Sequence, residues 1–216
     1  MKRFAVVIVA VALLLVAIII IAVYWQPTPR VLYPEEIREY EGEDLSSIAA
    51  FRENSIRGPQ HVNISTYKLT ITGLVNDTVE YSYDDVVNGF QLYQKVVTLH
   101  CVEGWSAKIL WEGFLTADLL NQTEIDSNAT TVIFHAYDGY TTALPLDYIL
   151  DNDILIAHKM NGLTLPPERG FPFQLVAESK YGYKWIKWIT KIELTDNQNY
   201  LGYWERRGYP NTADIP

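Results

Sequence analysis

The single cysteine of this 216-residue sequence, Cys101, carries the side chain best suited to metal or nucleophilic chemistry. It follows the run VVTLH and precedes Val-Glu-Gly-Trp, a pattern that predicts the end of a strand and the start of a loop. Functional side chains are common at such positions, and a thiolate binds soft metal centres or attacks as a nucleophile. The same pattern is also compatible with an inert, buried cysteine.

The four histidines argue against two other roles for Cys101. None of His61, His100, His135 and His158 lies at a spacing typical of zinc ligands with the cysteine. A thiol hydrolase needs a histidine beside the sulfur, but the neighbouring His100 would point to the opposite face of a strand. No motif supports a hydrolase.

A second candidate site lies in the stretch LPPERGFPFQL (165–175) and the following KYGYKWIKW (180–188). Prolines and glycines predict a rigid loop, and Lys180, Lys184 and Lys187 concentrate positive charge in an otherwise acidic chain. Lys184 and Lys187, with backbone N–H groups near Gly182, could hold a phosphate. A solvated charged strand with aromatic packing is the alternative.

Short β runs separated by turns must position these residues, and short helices fit between them. We predict an α+β class, rich in β structure, with mixed sheets. Helices are expected to begin near Asp84, Thr116 and Pro145. The predicted strands are YKLTITG (67–73), TVEYSY (78–83), KVVTLH (95–100), TTVIFHA (130–136), YTTALP (140–145), DILIA (153–157), FQLVAE (173–178) and WIKWITKIEL (185–194).

The N-terminus predicts a membrane anchor. Residues 4–23 form an uncharged apolar run long enough to cross a bilayer, and Lys2 and Arg3 precede it. We expect an uncleaved signal anchor over residues 1–25, a tether over 26–50 and one extracytoplasmic domain over 51–216. The formal net charge of −9, with two of the cations before the anchor, disfavours nucleic acid as a partner.

Several segments, in order along the chain, resemble the sulfite oxidase superfamily of molybdopterin-dependent oxidoreductases, especially its bacterial methionine sulfoxide reductase catalytic subunits. The resemblance covers about residues 51–210. The segments are FRENSI (51–56), YKLTITGLV (67–75), HCVEGWSAKILWEGF (100–114), LPPERGFPFQLVAESKYGYKWIKWI (165–189) and GYWERRGYP (202–210).

The resemblance implies a sulfite-oxidase-type fold and a molybdopterin cofactor carrying molybdenum, or tungsten. Cys101 would be the metal ligand, with Tyr140 and Lys184 in catalytic positions. The other implied cofactor-binding residues are Asn54, Ser55, Arg169, Gln174, Trp185, Ile186 and Lys187.

The sequence also departs from the family pattern. Arg169 falls where the family usually has asparagine or histidine, and Gln174 where many members have arginine. Sulfite-oxidising members have an arginine soon after the metal cysteine, and Val102 to Trp105 provide none. Ala136 replaces a threonine of the methionine sulfoxide reductases.

The implied activity is oxygen-atom transfer on a small sulfur-containing or other oxo substrate, with electrons exchanged with a separate partner. An aromatic-lined mouth would favour a neutral thioether or sulfoxide over an anion, and Glu103 beside the cysteine disfavours anions by like charge. The aromatic residues expected there are Trp105, Tyr140, Tyr183 and Trp188. The alternative is a membrane-tethered, β-rich binding module without redox activity, in which Cys101 is inert. A domain that binds the cofactor but has lost catalysis is a further reading.

Overall fold

A computed structural model describes Leu14, Tyr33 and residues 35–216. The predicted anchor therefore falls outside the described residues, apart from Leu14. Within the part that is described, no helix combines the length and apolarity needed to span a bilayer.

Three short α-helices and twelve β-strands follow one another along the described chain. The helices are α1 (Tyr83–Gly89), α2 (Thr116–Leu120) and α3 (Leu146–Asp151). The strands are β1 (Glu39–Tyr40), β2 (Glu43–Asp44), β3 (Leu69–Gly73), β4 (Val79–Tyr81), β5 (Tyr93–His100), β6 (Ser106–Leu115), β7 (Thr131–Ala136), β8 (Thr141–Pro145), β9 (Leu155–Met160), β10 (Leu163–Thr164), β11 (Gln174–Val176) and β12 (Ile189–Thr195).

Two larger sheets and one hairpin organise the strands. The first sheet is antiparallel, with the order β10-β9-β6-β5 and with β11 also paired to β9. The second has the order β4-β3-β12-β7-β8, and its β3 and β12 run parallel while the other pairs are antiparallel. β1 and β2 form the separate hairpin. The predicted β-rich α+β class with mixed sheets is confirmed.

The core forms where apolar positions of both sheets face inward. Leu69 and Ile71 alternate with partly exposed threonines on β3, the period-2 pattern of a strand with one buried face. Strand β6 is different, because Ile109, Leu110 and Trp111 are buried consecutively between β5 and β9. Strands β7 and β9, which also lie inside their sheets, are buried in the same continuous way.

Residues 35–50, predicted to be a tether, instead pack against the domain. Leu45 and Ile48 are buried, and the Glu36 carboxylate accepts hydrogen bonds from the Ser47 hydroxyl and from the Asn161 side-chain amide. Buried apolar side chains and long-range hydrogen bonds are properties of a folded domain rather than of a linker. The tether prediction is therefore wrong for residues 35–50.

Candidate functional site

A cavity of about 460 Å³ opens among loops and turns of both sheets. Its wall is formed by residues 51–58, the turn after β5, the β7–β8 turn, the loop between β9 and β12, and the C-terminal segment around Trp204. The structure brings nine of the ten predicted site residues to this wall: Asn54, Ser55, Cys101, Tyr140, Arg169, Gln174, Trp185, Ile186 and Lys187. Lys184 is absent from the wall.

Cys101 stands in a tight turn at the end of β5. Its N–H donates to the carbonyl of Trp105 at 2.9 Å, and its carbonyl accepts from Gly104, which has a φ of +86°. The sulfur is partly exposed to the cavity, and burial raises the pKa of the thiol. A positive metal centre would offset that effect by stabilising the thiolate.

The segment opposite the sulfur brings two polar side chains into the same space. The Asn54 side-chain amide donates to the Cys101 sulfur at 3.7 Å. The Ser55 hydroxyl is buried in the wall and has no hydrogen-bond partner among the residues that the structure describes. Because buried hydroxyls are normally paired, Ser55 indicates a ligand with a polar edge at this place.

Arg169 and Gln174 occupy neighbouring positions in the wall. Arg169 is 7% exposed, and its guanidinium donates to the backbone carbonyls of Ile48, Phe51 and Arg52. Gln174, on β11, is 4% exposed. Arg169 therefore contacts the segment that bears Asn54, whereas a direct contact with the cofactor stays a prediction.

Lys187 provides a partly buried ammonium in the wall. Its Nζ donates to Glu53 at 2.5 Å and to the Glu168 carbonyl at 3.2 Å, and it lies over the Trp188 ring. Burial lowers the pKa of Lys187, and the hydrogen bond to Glu53 opposes that shift. The side chain is suited to an anionic ligand, since a buried cation gains more from a second negative group than an exposed one does.

Tyr140 and Tyr183 form a hydrogen-bonded pair at the other side of the cavity. The Tyr140 hydroxyl donates to the Tyr183 carbonyl at 2.5 Å, and the Tyr183 hydroxyl donates to the Pro210 carbonyl at 2.7 Å. Burial raises the pKa of Tyr140 far above its usual range and that of Tyr183 to about 12. Both hydroxyls therefore stay protonated at neutral pH and act as hydrogen-bond donors.

Replacing Tyr140 with phenylalanine should lower the free energy of unfolding by about 1 kcal/mol, because the partly buried carbonyl of Tyr183 loses its donor. Denaturant titration of the full chain measures the change. Tyr93→Phe is the matched control, since Tyr93 is exposed on an edge strand, and its stability should be unaltered. Equal stability of the Tyr140 variant and the parent chain would contradict the assigned contact.

Lys184 does not reach the cavity, which corrects its place among the site residues. Its side chain is fully buried, and its Nζ donates to Glu205 at 2.5 Å, to the Ala143 carbonyl at 2.9 Å and to Asn211 at 3.1 Å. An ammonium has three N–H groups, so these partners use all of its donors. No donor is left for a phosphate or a substrate.

The structure adds wall residues that the sequence did not single out. They are Arg52 and Glu53 from the first segment, Asp138 from the β7–β8 turn, and Trp204 and Tyr209 from the C-terminal segment. Asp138 is 3% exposed and accepts from the Tyr140 N–H. Its place in the turn sequence Asp-Gly-Tyr was a usable signal, whereas the aromatic pair reaches the cavity only through long-range packing.

Comparison with known proteins identifies the family. Residues 56–204 match the model of the oxidoreductase molybdopterin binding domain. The oxidoreductase YuiH of Bacillus subtilis is 36% identical over 157 residues, which cover 72% of this chain and 78% of YuiH. The chain belongs to the molybdopterin-binding oxidoreductase family.

Other members of the family are longer than this chain. The protein-methionine-sulfoxide reductase catalytic subunit MsrP of Gluconobacter oxydans is 33% identical over 149 residues, which cover 61% of this chain and 48% of MsrP. The chain thus spans about half the length of that relative. The sulfane dehydrogenase SoxCD from Paracoccus pantotrophus shares the fold, with a TM-score of 0.67 at 18% identity, over 79% of this chain and 50% of the SoxCD chain.

Family membership makes the protein a molybdenum-pterin oxidoreductase, and the binding module without redox activity is set aside. The cavity fits this cofactor. Among the described residues, no three His, Cys, Asp or Glu side chains are grouped as metal ligands, so a metal at Cys101 needs ligands that the cofactor brings. One wall of the cavity offers three groups to the cofactor: Cys101 as a metal ligand, the Ser55 hydroxyl as a polar contact and the Lys187 ammonium as a cation.

Proposed function

We propose that this protein reduces a small, neutral sulfoxide, and that Cys101 holds the molybdenum at which the reaction occurs. The observation that supports this substrate class is the aromatic mouth of the cavity beside the sulfur, which is formed by Phe51 and Trp105. Phe51 and Trp105 pack with ring centroids 5.6 Å apart, and both line the cavity. A neutral sulfoxide gains contact area there, and the Arg169 guanidinium over the Phe51 ring donates to three backbone carbonyls rather than to an anion.

The charged residues at the mouth cancel one another. Glu103 accepts from the Trp105 indole N–H at 3.2 Å and pairs with Arg52 at 3.7 Å. Both charged side chains are substantially exposed, so their pairing adds little stability but leaves no net charge for an anion. The mouth therefore suits a neutral substrate.

Each wall residue has a distinct role in this proposal. Molybdopterin supplies oxygen-atom transfer and one-electron exchange when it is bound. Cys101 binds the metal, Asn54 donates to the sulfur, and Lys187 binds the anionic end of the cofactor. Ser55, Gln174, Trp185 and Ile186 complete the cofactor wall, and Tyr140 orients the loop around Tyr183.

The reduction of a sulfoxide takes two electrons and two protons and releases a thioether and water. The sequence contains one cysteine and no CxxCH motif, so we assign the electrons to a separate protein or small carrier. The printed name of the MsrP relatives, which refers to methionine sulfoxide in proteins, supports this direction.

The substrate is tested by steady-state kinetics on the cofactor-loaded full chain. Consumption of a dialkyl sulfoxide with reduced viologen should saturate, while sulfite oxidation with ferricyanide should have a kcat/KM at least about 100-fold lower, a difference of roughly 3 kcal/mol. Saturable sulfite turnover without activity on any sulfoxide would refute the proposed substrate.

Replacing Glu103 with glutamine should raise kcat/KM for sulfite by about three- to tenfold, because the anion no longer meets a carboxylate and Arg52 loses its partner. The rate with a sulfoxide should change less. Glu178→Gln is the matched control, since Glu178 pairs with Lys95 away from the cavity wall. An unchanged preference in the Glu103 variant would show that this carboxylate does not govern substrate charge.

We also propose the domain organisation and location that the sequence predicts, with the tether shortened to residues 26–34. Residues 1–25 anchor the chain in the cell membrane, and the domain faces the extracytoplasmic side. Protease added to spheroplasts of a bacterial host should digest the domain without lysis. Digestion only after lysis would reverse this orientation.

A further inference from the structure

Residues 51–57 cross the cavity without secondary structure of their own. No N–H of these residues donates to a backbone carbonyl within the described part of the chain. A segment without backbone hydrogen bonds of its own holds one conformation only if side chains from other parts of the chain bind it.

Arg169 supplies the densest set of such contacts. Its Nε donates to the Ile48 carbonyl at 2.9 Å, its Nη1 to Arg52 at 3.1 Å and its Nη2 to Phe51 at 2.7 Å. The guanidinium also lies 3.8 Å from the centroid of the Phe51 ring. One side chain therefore fixes three carbonyls and one ring at the start of the segment.

The fastened segment is also the one that reaches the sulfur. Two residues beyond the Arg52 carbonyl, Asn54 donates to Cys101. Lys187 makes a second contact with this segment, because its ammonium donates to Glu53, which lies between Arg52 and Asn54. The position of Asn54 thus depends on side chains that follow it by more than a hundred residues.

We propose that Arg169 is a positioning residue that holds Asn54 against the Cys101 sulfur. This inference deepens the proposed function and rests on it for the role of Cys101. Arg169 acts through the backbone of residues 48–52 rather than by binding substrate.

The geometry requires arginine and not merely positive charge. The three donors point at three separate carbonyls, and a planar guanidinium carries five N–H groups in a fixed arrangement. Lysine at this position has three N–H groups on one atom and cannot span the same carbonyls. Arg169→Lys should therefore behave like Arg169→Gln.

Limited trypsin digestion of the full chain, purified from a host that does not make the cofactor, tests directly whether Arg169 holds this segment in place. Trypsin cleaves after Arg52, whose carbonyl Arg169 binds, and after Arg57. In Arg169→Gln and Arg169→Lys, cleavage at these two bonds should accelerate roughly tenfold relative to cleavage after Arg206 and Arg207. Arg38→Gln is the matched control, because Arg38 donates to the Leu45 carbonyl away from the cavity wall.

Unchanged cleavage at Arg52 and Arg57 would overturn the inference, and so would a parallel rise at every site, which indicates general destabilisation. The loaded enzyme gives a second readout. The electron paramagnetic resonance signal of the metal should shift in Arg169→Lys as in Asn54→Ala, and the double variant should show no larger shift. Additive shifts would contradict action through Asn54. If the parent chain binds no molybdenum, the proposed function fails, whereas the digestion result still decides how the segment is held.

Discussion

Replacing Cys101 with serine should lower sulfoxide turnover at least about a thousandfold, beyond the 10- to 100-fold that loss of an outer-shell partner typically costs. A hydroxyl is a poor substitute for a soft thiolate at molybdenum, and the described chain groups no other metal ligands near it. The measurement is kcat/KM for a dialkyl sulfoxide, at matched protein concentration and with folding verified by circular dichroism.

The neighbouring Val102 provides the control for that loss. Val102 is exposed in the same turn and lines the cavity, so Val102→Ala changes the surroundings but keeps the sulfur. Its activity should stay within a few-fold of the parent. A Cys101→Ser protein that is folded and retains the parental rate would exclude the thiolate as a functional ligand.

Replacing Lys184 with methionine should lower the free energy of unfolding by about 3–5 kcal/mol, because it leaves the Glu205 carboxylate buried without its counter-charge. Both side chains of this pair are fully buried, and Glu205 also accepts from the Thr142 hydroxyl at 2.9 Å. For a domain of this size the loss corresponds to a fall of roughly 6–20 °C in Tm. Denaturant and thermal unfolding of the full chain measure it.

A double variant separates the buried charge from the lost packing. Lys184→Met with Glu205→Gln removes both charges and should recover part of the stability lost in the single variant. Lys108→Met is the matched control, since Lys108 pairs with Glu43 on an exposed surface and should cost less than about 1 kcal/mol. Equal losses for Lys184→Met and Lys108→Met would contradict the buried pair.

Strands that are rich in β-branched and aromatic residues or that alternate regularly could be predicted from the sequence, whereas β6 could not. The run TTVIFHA predicts β7 because it is rich in β-branched and aromatic residues, although β7 is buried on both faces, whereas Leu-Thr-Ile-Thr predicts β3 by its single apolar face. β6 was missed because Lys108, Glu112 and Gly113 interrupt its apolar residues and Ile109 is its single β-branched residue. The predicted strand 185–194 was partly wrong, since the chain is regular only from Ile189, after Trp188 adopts a φ of +54° and its indole donates to the Pro167 carbonyl.

Some features of the site could likewise be predicted from the sequence, and others could not. Cys101 was predictable because its residue type and place after a strand are local properties. The contact between Asn54 and Cys101 joins residues 47 positions apart, and the backbone of residues 48–52 that leads to Asn54 is bound by the still more distant Arg169. Lys184 and Lys187 look alike in the sequence, yet one meets Glu205 in the core and the other meets Glu53 in the cavity wall. The partner of each lysine decides its role, and neither partner is local.

The metal and pterin content of the full chain, expressed in a host that makes the cofactor, tests the central claim most directly. We predict about one molybdenum and one pterin per chain by elemental mass spectrometry and by fluorescence after oxidation, with the metal lost or loosened in Cys101→Ser. A folded parent chain that contains neither molybdenum nor pterin, or a Cys101→Ser protein that keeps the metal as firmly as the parent, would contradict the assignment of Cys101 as the ligand.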